Sequence, residues 1–329
     1  MIVKIEPRNI LVIRLGGIGD ILFTLPAINL LKDNFANCHL SYLTKKAFLP
    51  IIKGFPAVDE VIAYDSDGFN NRNPIRKFQT AISLFQKLHQ ADYQLIIDFH
   101  GLGKTALIGS LTGAKERWGI IRKKISKPFY TYSQPIIPNI HRIDLNRLLL
   151  ENVGLNQYSV KNSFVLPQID FQKGLNLWKE LGLSFEQPTL FIQPFTNFEN
   201  KNWPLENYLA VAHYCKSHNV QVIFGGGPKD SKALHHVAID FPVTAGRADF
   251  LTTASLMKLS TLILGGDTGM LHLAVALDKK VIMLMNGTGY QRFYPYQHQN
   301  WAIIPKSSFN IEDIEIETVK SLISESFHI

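Results

Sequence analysis

Residues 9–35, NILVIRLGGIGDILFTLPAINLLKDNF, decide the reading of the chain. The apolar run Asn9 to Leu15 ends in the glycine turn Gly16-Gly17-Ile18-Gly19-Asp20, and the residues beyond carry apolar side chains at helical spacing. This is strand, glycine turn, helix. Similar units recur outward from it: CHLSYL with KAFLPIIKGF, then VIAYD, then YQLIIDF with GLGKTALIGSLTG, followed by a basic and aromatic stretch from Lys115 to Tyr132. Strands that alternate with helices predict a mostly parallel sheet covered on both faces.

The alternation lapses between Asn156 and Pro188, where Pro167, a short helix around LNLWKEL and Gly182 interrupt it. A domain boundary is expected there, near residue 172, giving domains 1–172 and 173–329. The pattern restarts with TLFIQPF, the loop FTNFENKNWP, the helix LENYLAVAHYCKSH, the strand VQVIFGG, a helix, the strand TLILGGD, the helix TGMLHLAVALD and the strand KVIMLMNG. The expected fold class is therefore α/β, with two Rossmann-like, doubly wound domains in tandem and a closing helix over Ile311–Phe327. Open sheets of this kind bind ligands at the carboxyl ends of their strands, so the active site is expected in a cleft between the two domains.

Composition narrows the function classes. The 329 residues are 46% hydrophobic and 19% charged, which excludes disorder and fibre composition and suits two globular cores. With 34 Lys+Arg against 27 Asp+Glu the net charge is +7, a basic excess that suits an anionic partner. Cys38 and Cys215 stand far apart without metal-ligand spacing, which argues against a disulfide framework or a cysteine zinc site and for a reducing compartment. Glu6, Pro7 and Arg8 interrupt the stretch that a signal peptide would make apolar, and no run approaches the ~20 apolar residues of a membrane span. A soluble chain that can touch a membrane surface is expected.

Several motifs sit at strand ends. GGIGD falls short of a dinucleotide fingerprint because Leu22 stands where its last glycine belongs. HGLGKT falls short of a P-loop because Asp98 stands where its first glycine belongs. Neither a nicotinamide or flavin cofactor nor a Walker ATPase is expected. Asp20, at the mouth of a helix, serves either as a helix cap or as a carboxylate available to chemistry. In GGDTGMLH, residues 265–272, a strand runs into Asp267 and Thr268 at a helix start with His272 on the helix; such an N-terminus binds anions, and the alternative is a capping pair with a packed histidine. In TNFENKNWP, residues 196–204, Lys201 and Thr196 occupy the equivalent strand edge, where a cation and a hydroxyl would converge on a diphosphate.

Together, IRLGGIGDILFTLPAI, FTNFENKNWP, FGGGPKD and GGDTGMLHLAVAL resemble the bacterial lipopolysaccharide heptosyltransferases of glycosyltransferase family 9, from Ile10 to about Pro295. The resemblance implies a GT-B fold and inverting transfer of a heptose from ADP-L-glycero-D-manno-heptose to the Kdo/heptose inner core of lipid A-linked oligosaccharide. It implies Asp20 as general base and a donor site of Thr196, Lys201, Asp267, Thr268, Gly269 and His272. Asp230 stands where the family usually has a ribose-binding Glu, one methylene shorter. On the acceptor side it implies Lys104, His141 and Arg147, to which the basic stretch adds Arg122. No metal or other cofactor is expected besides the nucleotide-sugar co-substrate. The implied location is cytoplasmic and peripheral at the inner membrane.

Two competing readings stand beside it. One is a family 9 transferase with another nucleotide sugar. The other is a nucleic-acid or membrane-surface binding protein, suggested by the charge and by KERWGIIRKKISK at 115–127, although no helix-turn-helix, zinc finger or RNP motif accompanies it and no nucleic-acid partner is expected.

Overall fold

The computed structural model describes residues 5–156 and 160–329. The chain divides into two compact units, Met1–Asn162 and Ser163–Ile329. The division precedes the expected position near residue 172 because the chain joins the second unit early. Phe164 N donates to Ala276 O at 2.7 Å. The helix Gln168–Glu180 buries Leu177 and Trp178 in a core shared with Leu256 and Met257.

The first unit holds β1 (Asn9–Ile13), β2 (His39–Lys45), β3 (Glu60–Tyr64), β4 (Leu95–Asp98), β5 (Glu116–Ile121) and β6 (Tyr132–Pro135) in the order β3-β2-β1-β4-β5-β6. All five pairings are parallel. The central strands read as continuous apolar runs because both their faces are covered: Ile10 to Ile13 and Leu95 to Ile97 are buried. Ile13 pairs with Asp98, so the residues that follow β1 and β4 leave the sheet side by side. The turn after β1 needs its glycine, since Gly17 has φ 84° and caps the short helix Ile18–Leu22.

The second unit holds β7 (Thr189–Gln193), β8 (Gln221–Phe224), β9 (Leu262–Gly266), β10 (Val281–Leu284) and β11 (Ala302–Ile303) in the parallel order β11-β10-β9-β7-β8. Val243 adds one parallel bridge to Phe224 and takes the place that β3 has in the first sheet. Both sheets thus reverse their winding beside their first strand, which sends helices to both faces. The closing helix is Ile316–Phe327; residues 311–313 form a separate tight turn before it.

The sequence reading passes over the amphipathic helix Pro74–Gln90, capped by Asn73. Cys38 and Cys215 are both free and buried, and burial raises both thiol pKa values, that of Cys215 to about 12. Among the described residues no helix is long and apolar enough to cross a membrane.

Candidate active site

Each unit gathers charged side chains at the carboxyl ends of its strands. In the first, Arg14 follows β1 and is 4% exposed. Its Nη1 donates to Phe99 O at 2.9 Å, and its other terminal nitrogen pairs with Asp20. Asp20 sits in the first turn of the Ile18–Leu22 helix, whose cap is the backbone of Gly17 and not a side chain. Its partner is therefore the buried guanidinium of Arg14, at the end of the same strand. A fixed cation beside a solvent-reaching carboxylate both orients it and leaves its outer oxygen open to a hydroxyl.

Around this pair lie His100 and Arg122. Burial lowers the His100 pKa to about 4, helped by Arg14 and Arg122 and opposed by Asp20, so the ring is neutral at pH 7. Burial likewise lowers Arg122 to about 10, with Arg14 acting in the same direction. Asp98 is fully buried and accepts from Tyr130 Oη at 2.7 Å, His100 N at 2.8 Å and Gly101 N at 3.0 Å. Those bonds hold the loop that presents His100 and Lys104, and they occupy the Asp98 carboxylate. Arg14 and Arg122 concentrate positive potential at the rim of Asp20, beside the neutral His100 ring, which suits an anionic hydroxyl-bearing substrate.

The other acceptor-side candidates are differently placed. Lys104 is exposed, with Nζ 4.6 Å from the Tyr64 ring centroid. His141 is 2% exposed; its Nδ1 accepts from Ile143 N at 3.1 Å as the cap of the Arg142–Glu151 helix, and its ring meets Phe23 edge-on. Arg147 pairs with Asp144 at 2.9 Å and Glu151 at 2.8 Å on that same helix. Arg122 thus lies within electrostatic reach of Asp20, whereas His141 and Arg147 make bonds along the Arg142–Glu151 helix. Within 115–127, Arg117 is tied to the carbonyls of Phe129 and Ala114, whereas Lys123, Lys124 and Lys127 are exposed.

In the second unit Asp267 follows β9 and is held between two partners. Lys201 Nζ lies 2.5 Å from its Oδ2 and His272 Nε2 lies 3.2 Å from its Oδ1. Burial works to raise the Asp267 pKa, but the hydrogen bond and charge of His272 and the Lys201 charge outweigh it and the net shift is downward. Thr268 is the N-cap of the Gly269–Ala276 helix with no side-chain cap hydrogen bond, so its hydroxyl is not spent on capping. The helix's first N–H groups lack intrahelical acceptors and, with Lys201, make a corner of the kind that anions occupy at helix starts.

The loop that carries Lys201 is fixed from below. Trp203 is buried and donates to Ile314 O at 3.0 Å, Asn202 Oδ1 accepts from Thr196 N at 2.7 Å, and Asn286 Nδ2 donates to Asn200 O at 3.0 Å. Gly266 is required by close approach, since a Cβ there would stand 2.8 Å from Lys201 O and 2.9 Å from Thr196 Cγ2. The Thr196 hydroxyl turns back on its loop, donating to Phe198 O at 2.8 Å and accepting from Phe198 N at 3.1 Å. Asp230 Oδ2 accepts from Gly227 N at 2.8 Å and closes the turn after β8, while neighbouring Lys229 reaches Asn197 Oδ1 at 3.4 Å. Lys229 is a cation that motif reading did not single out, although it lies within the quoted FGGGPKD.

The family model for glycosyltransferase family 9 (heptosyltransferase) matches residues 81–317. The chain belongs to that family. A curated relative, lipopolysaccharide heptosyltransferase 3 of Escherichia coli K12, is 24% identical over 299 residues, covering 86% of this chain and 85% of its own. Lipopolysaccharide heptosyltransferase 1 of the same strain is 22% identical, covering 85% and 88%. Among solved structures, a family 9 glycosyl transferase of Veillonella parvula superposes with TM-score 0.88 at 18% identity, covering 99% of both chains. E. coli ADP-heptose lps heptosyltransferase II gives 0.81 at 18% identity, covering 97% and 98%, and E. coli heptosyltransferase WaaC with ADP gives 0.79 at 18%, covering 97% and 99%. These likenesses establish the α/β GT-B fold, and the family makes the chain a glycosyltransferase.

Proposed function

We propose that this family 9 enzyme transfers a heptose from ADP-L-glycero-D-manno-heptose to the Kdo/heptose inner core of lipopolysaccharide, with inversion at the anomeric carbon. The observation that carries the reading is Asp267 held between Lys201 and His272 at the start of a helix, in a chain whose relatives are named lipopolysaccharide heptosyltransferases. One solved neighbour was crystallised with ADP and another with an ADP-2-deoxy-2-fluoro heptose, which supports an ADP-linked donor.

In this reading the donor diphosphate takes the corner made by Lys201 and the N–H groups beyond Thr268. Negative charge grows on it as the glycosidic bond breaks, and a lysine with a helix N-terminus stabilises that charge as it develops, without a metal ion. Asp267 and His272 hold Lys201 and the helix start in register. Thr196, Gly269 and Asp230 shape the same site, the last toward the ribose. In the first unit Asp20 takes the proton of the attacking acceptor hydroxyl as general base, with Arg14 fixing its orientation. Arg122 and Lys104 meet the anionic acceptor; His141 and Arg147 serve it by ordering the helix behind them. The enzyme works in the cytoplasm as a peripheral protein at the inner membrane, where a lipid A-linked acceptor is presented.

The test is incubation with ADP-heptose and a water-soluble, deacylated Kdo-containing acceptor, followed by mass spectrometry. A product heavier by one heptose is expected. Transfer from a different nucleotide sugar and none from ADP-heptose would replace the donor assignment with the second family 9 reading.

A further inference from the structure

The Pro74–Gln90 helix of the first unit is 17 residues long, and only Leu88 is buried. Ile75, Phe78, Ile82 and Phe85 are 65, 66, 38 and 42% exposed. At the helical period these four fall within a single stripe roughly 80° wide, so the helix presents an uncovered apolar face. The stripe runs into a groove of about 220 Å³ where this helix meets the Gly103–Leu111 helix, lined by Phe69, Leu84, Phe85, Leu107 and Leu111. Leu107 and Leu111 are themselves half exposed, and Lys104 stands at the groove wall over Tyr64. Ile125, 70% exposed, lies beside Gly103 at the start of the second helix.

The helix itself and the stretch around Ile125 carry only positive charge, while Glu60, Asp65 and Asp67 stand on the other side of the helix's neighbours. Residues 70–91 carry Arg72, Arg76, Lys77 and Lys87 with no Asp or Glu, and residues 99–115 and 117–131 likewise contain none. Lys87 is paired with Glu60, but Lys123, Lys124 and Lys127 are exposed next to Ile125. Contiguous exposed apolar surface marks an interaction site. Interfaces between proteins are depleted in lysine, whereas an apolar helix face rimmed by lysines is what binds the headgroup boundary of an anionic bilayer.

We propose that the exposed face of the Pro74–Gln90 helix, continued by Leu107, Leu111 and Ile125 and rimmed by Lys123, Lys124 and Lys127, docks on an anionic lipid bilayer. The proposal rests on the membrane contact put forward above, to which it gives a place and a chemistry. The phenylalanines and leucines enter the acyl boundary, the groove accepts a chain end, and the lysines stay at phosphate level.

The full chain should co-sediment with phosphatidylethanolamine/phosphatidylglycerol vesicles, more weakly with phosphatidylcholine alone, and less in high salt. Replacing Phe78→Ser together with Phe85→Ser should lower partitioning on the order of tenfold or more. Ile75→Asp provides an independent single-site variant, and replacing Lys123, Lys124 and Lys127 by Ser should remove much of the salt dependence. Transfer to the deacylated, water-soluble acceptor should be unchanged in the Phe78/Phe85 variant. Absence of wild-type binding to anionic vesicles would overturn the proposal, as would full vesicle binding by both apolar-face variants. So would a solution dimer that these variants split while vesicle binding persists, which would assign the face to a second copy. Wild-type vesicle binding without any transfer to the soluble acceptor would leave the docking surface standing and remove the heptosyl-transfer reading.

Discussion

The Asp20 carboxylate is paired with Arg14, whose guanidinium side chain is 5% exposed while that of Asp20 is 35% exposed. A charge fixed inside the sheet edge holds one that reaches solvent, and Arg14 is itself anchored on Phe99 O. The arrangement gives Asp20 a fixed direction without spending it on the helix terminus.

Asp20→Asn keeps the shape and removes the proposed proton acceptor. Turnover should fall on the order of 10²–10⁴-fold while the donor dissociation constant stays put. Steady-state kinetics with donor titration check this, and a variant retaining more than a tenth of wild-type kcat would return Asp20 to a purely structural role.

Lys201→Ala should cost roughly 10²–10³-fold in kcat, since it removes a fixed charge from the site proposed for the departing diphosphate. Wild-type transfer should survive EDTA. Loss of activity on chelation with recovery on adding Mg²⁺ would contradict the assignment of that charge to Lys201.

On the acceptor side, Arg122→Ala should raise KM for the anionic acceptor and weaken its salt dependence. Arg147→Ala should leave that KM nearly unchanged and shift stability by about 1 kcal/mol or less, the scale of partly exposed ion pairs. Equal effects of both on KM would mean that Arg147 leaves its helix partners to meet substrate.

His100 supplies a pH signature. Its folded-state pKa of about 4 lies below the usual 6.5, so the unfolded chain binds the extra proton between those values. Stability should therefore be fully present above pH ~6.5, decline as the pH falls toward 4, and lose this dependence below it. Denaturant titrations across that window should show a shallower decline for His100→Gln. An unchanged slope would place the ring in solvent.

Gly174→Ala probes the division between the units. A Cβ at Gly174 would stand 2.1 Å from Ser255 Cβ, forcing apart the Gln168–Glu180 and Phe250–Leu259 helices, and overpacking of this kind costs about 1–3 kcal/mol. A lowered Tm is expected; unaltered unfolding would detach the first of these helices from the second unit.

Much of this architecture was legible in the sequence because buried parallel strands leave uninterrupted apolar runs and their turns carry glycine. The single bridge at Val243 leaves no such run, and the unit boundary shifted because a helix adjoining a linker reveals its allegiance only through packing. The Pro74–Gln90 helix was readable from its 3.6-residue spacing, yet it lacks the glycine punctuation that marked the other elements. Lys201, Asp267 and His272 were found as a group because motif and strand end coincide, and the Gln193–Gly265 register brings the loop and the helix start together. Arg14 and His100 were missed because their adjacency is created by the pairing of β1 with β4, which no local spacing records. His141 and Arg147 carry side chains that fit either a ligand or a helix end, and their bonds to Ile143, Asp144 and Glu151 are visible only in the fold.

The buried thiols of Cys38 and Cys215 have a practical consequence. Alkylating reagents act on accessible thiolates, and neither native residue offers one at neutral pH. A single cysteine introduced at an exposed position such as Ile75 can therefore be labelled selectively with a maleimide fluorophore in the otherwise unmutated chain, and the dye's emission will report whether that helix enters a hydrocarbon environment.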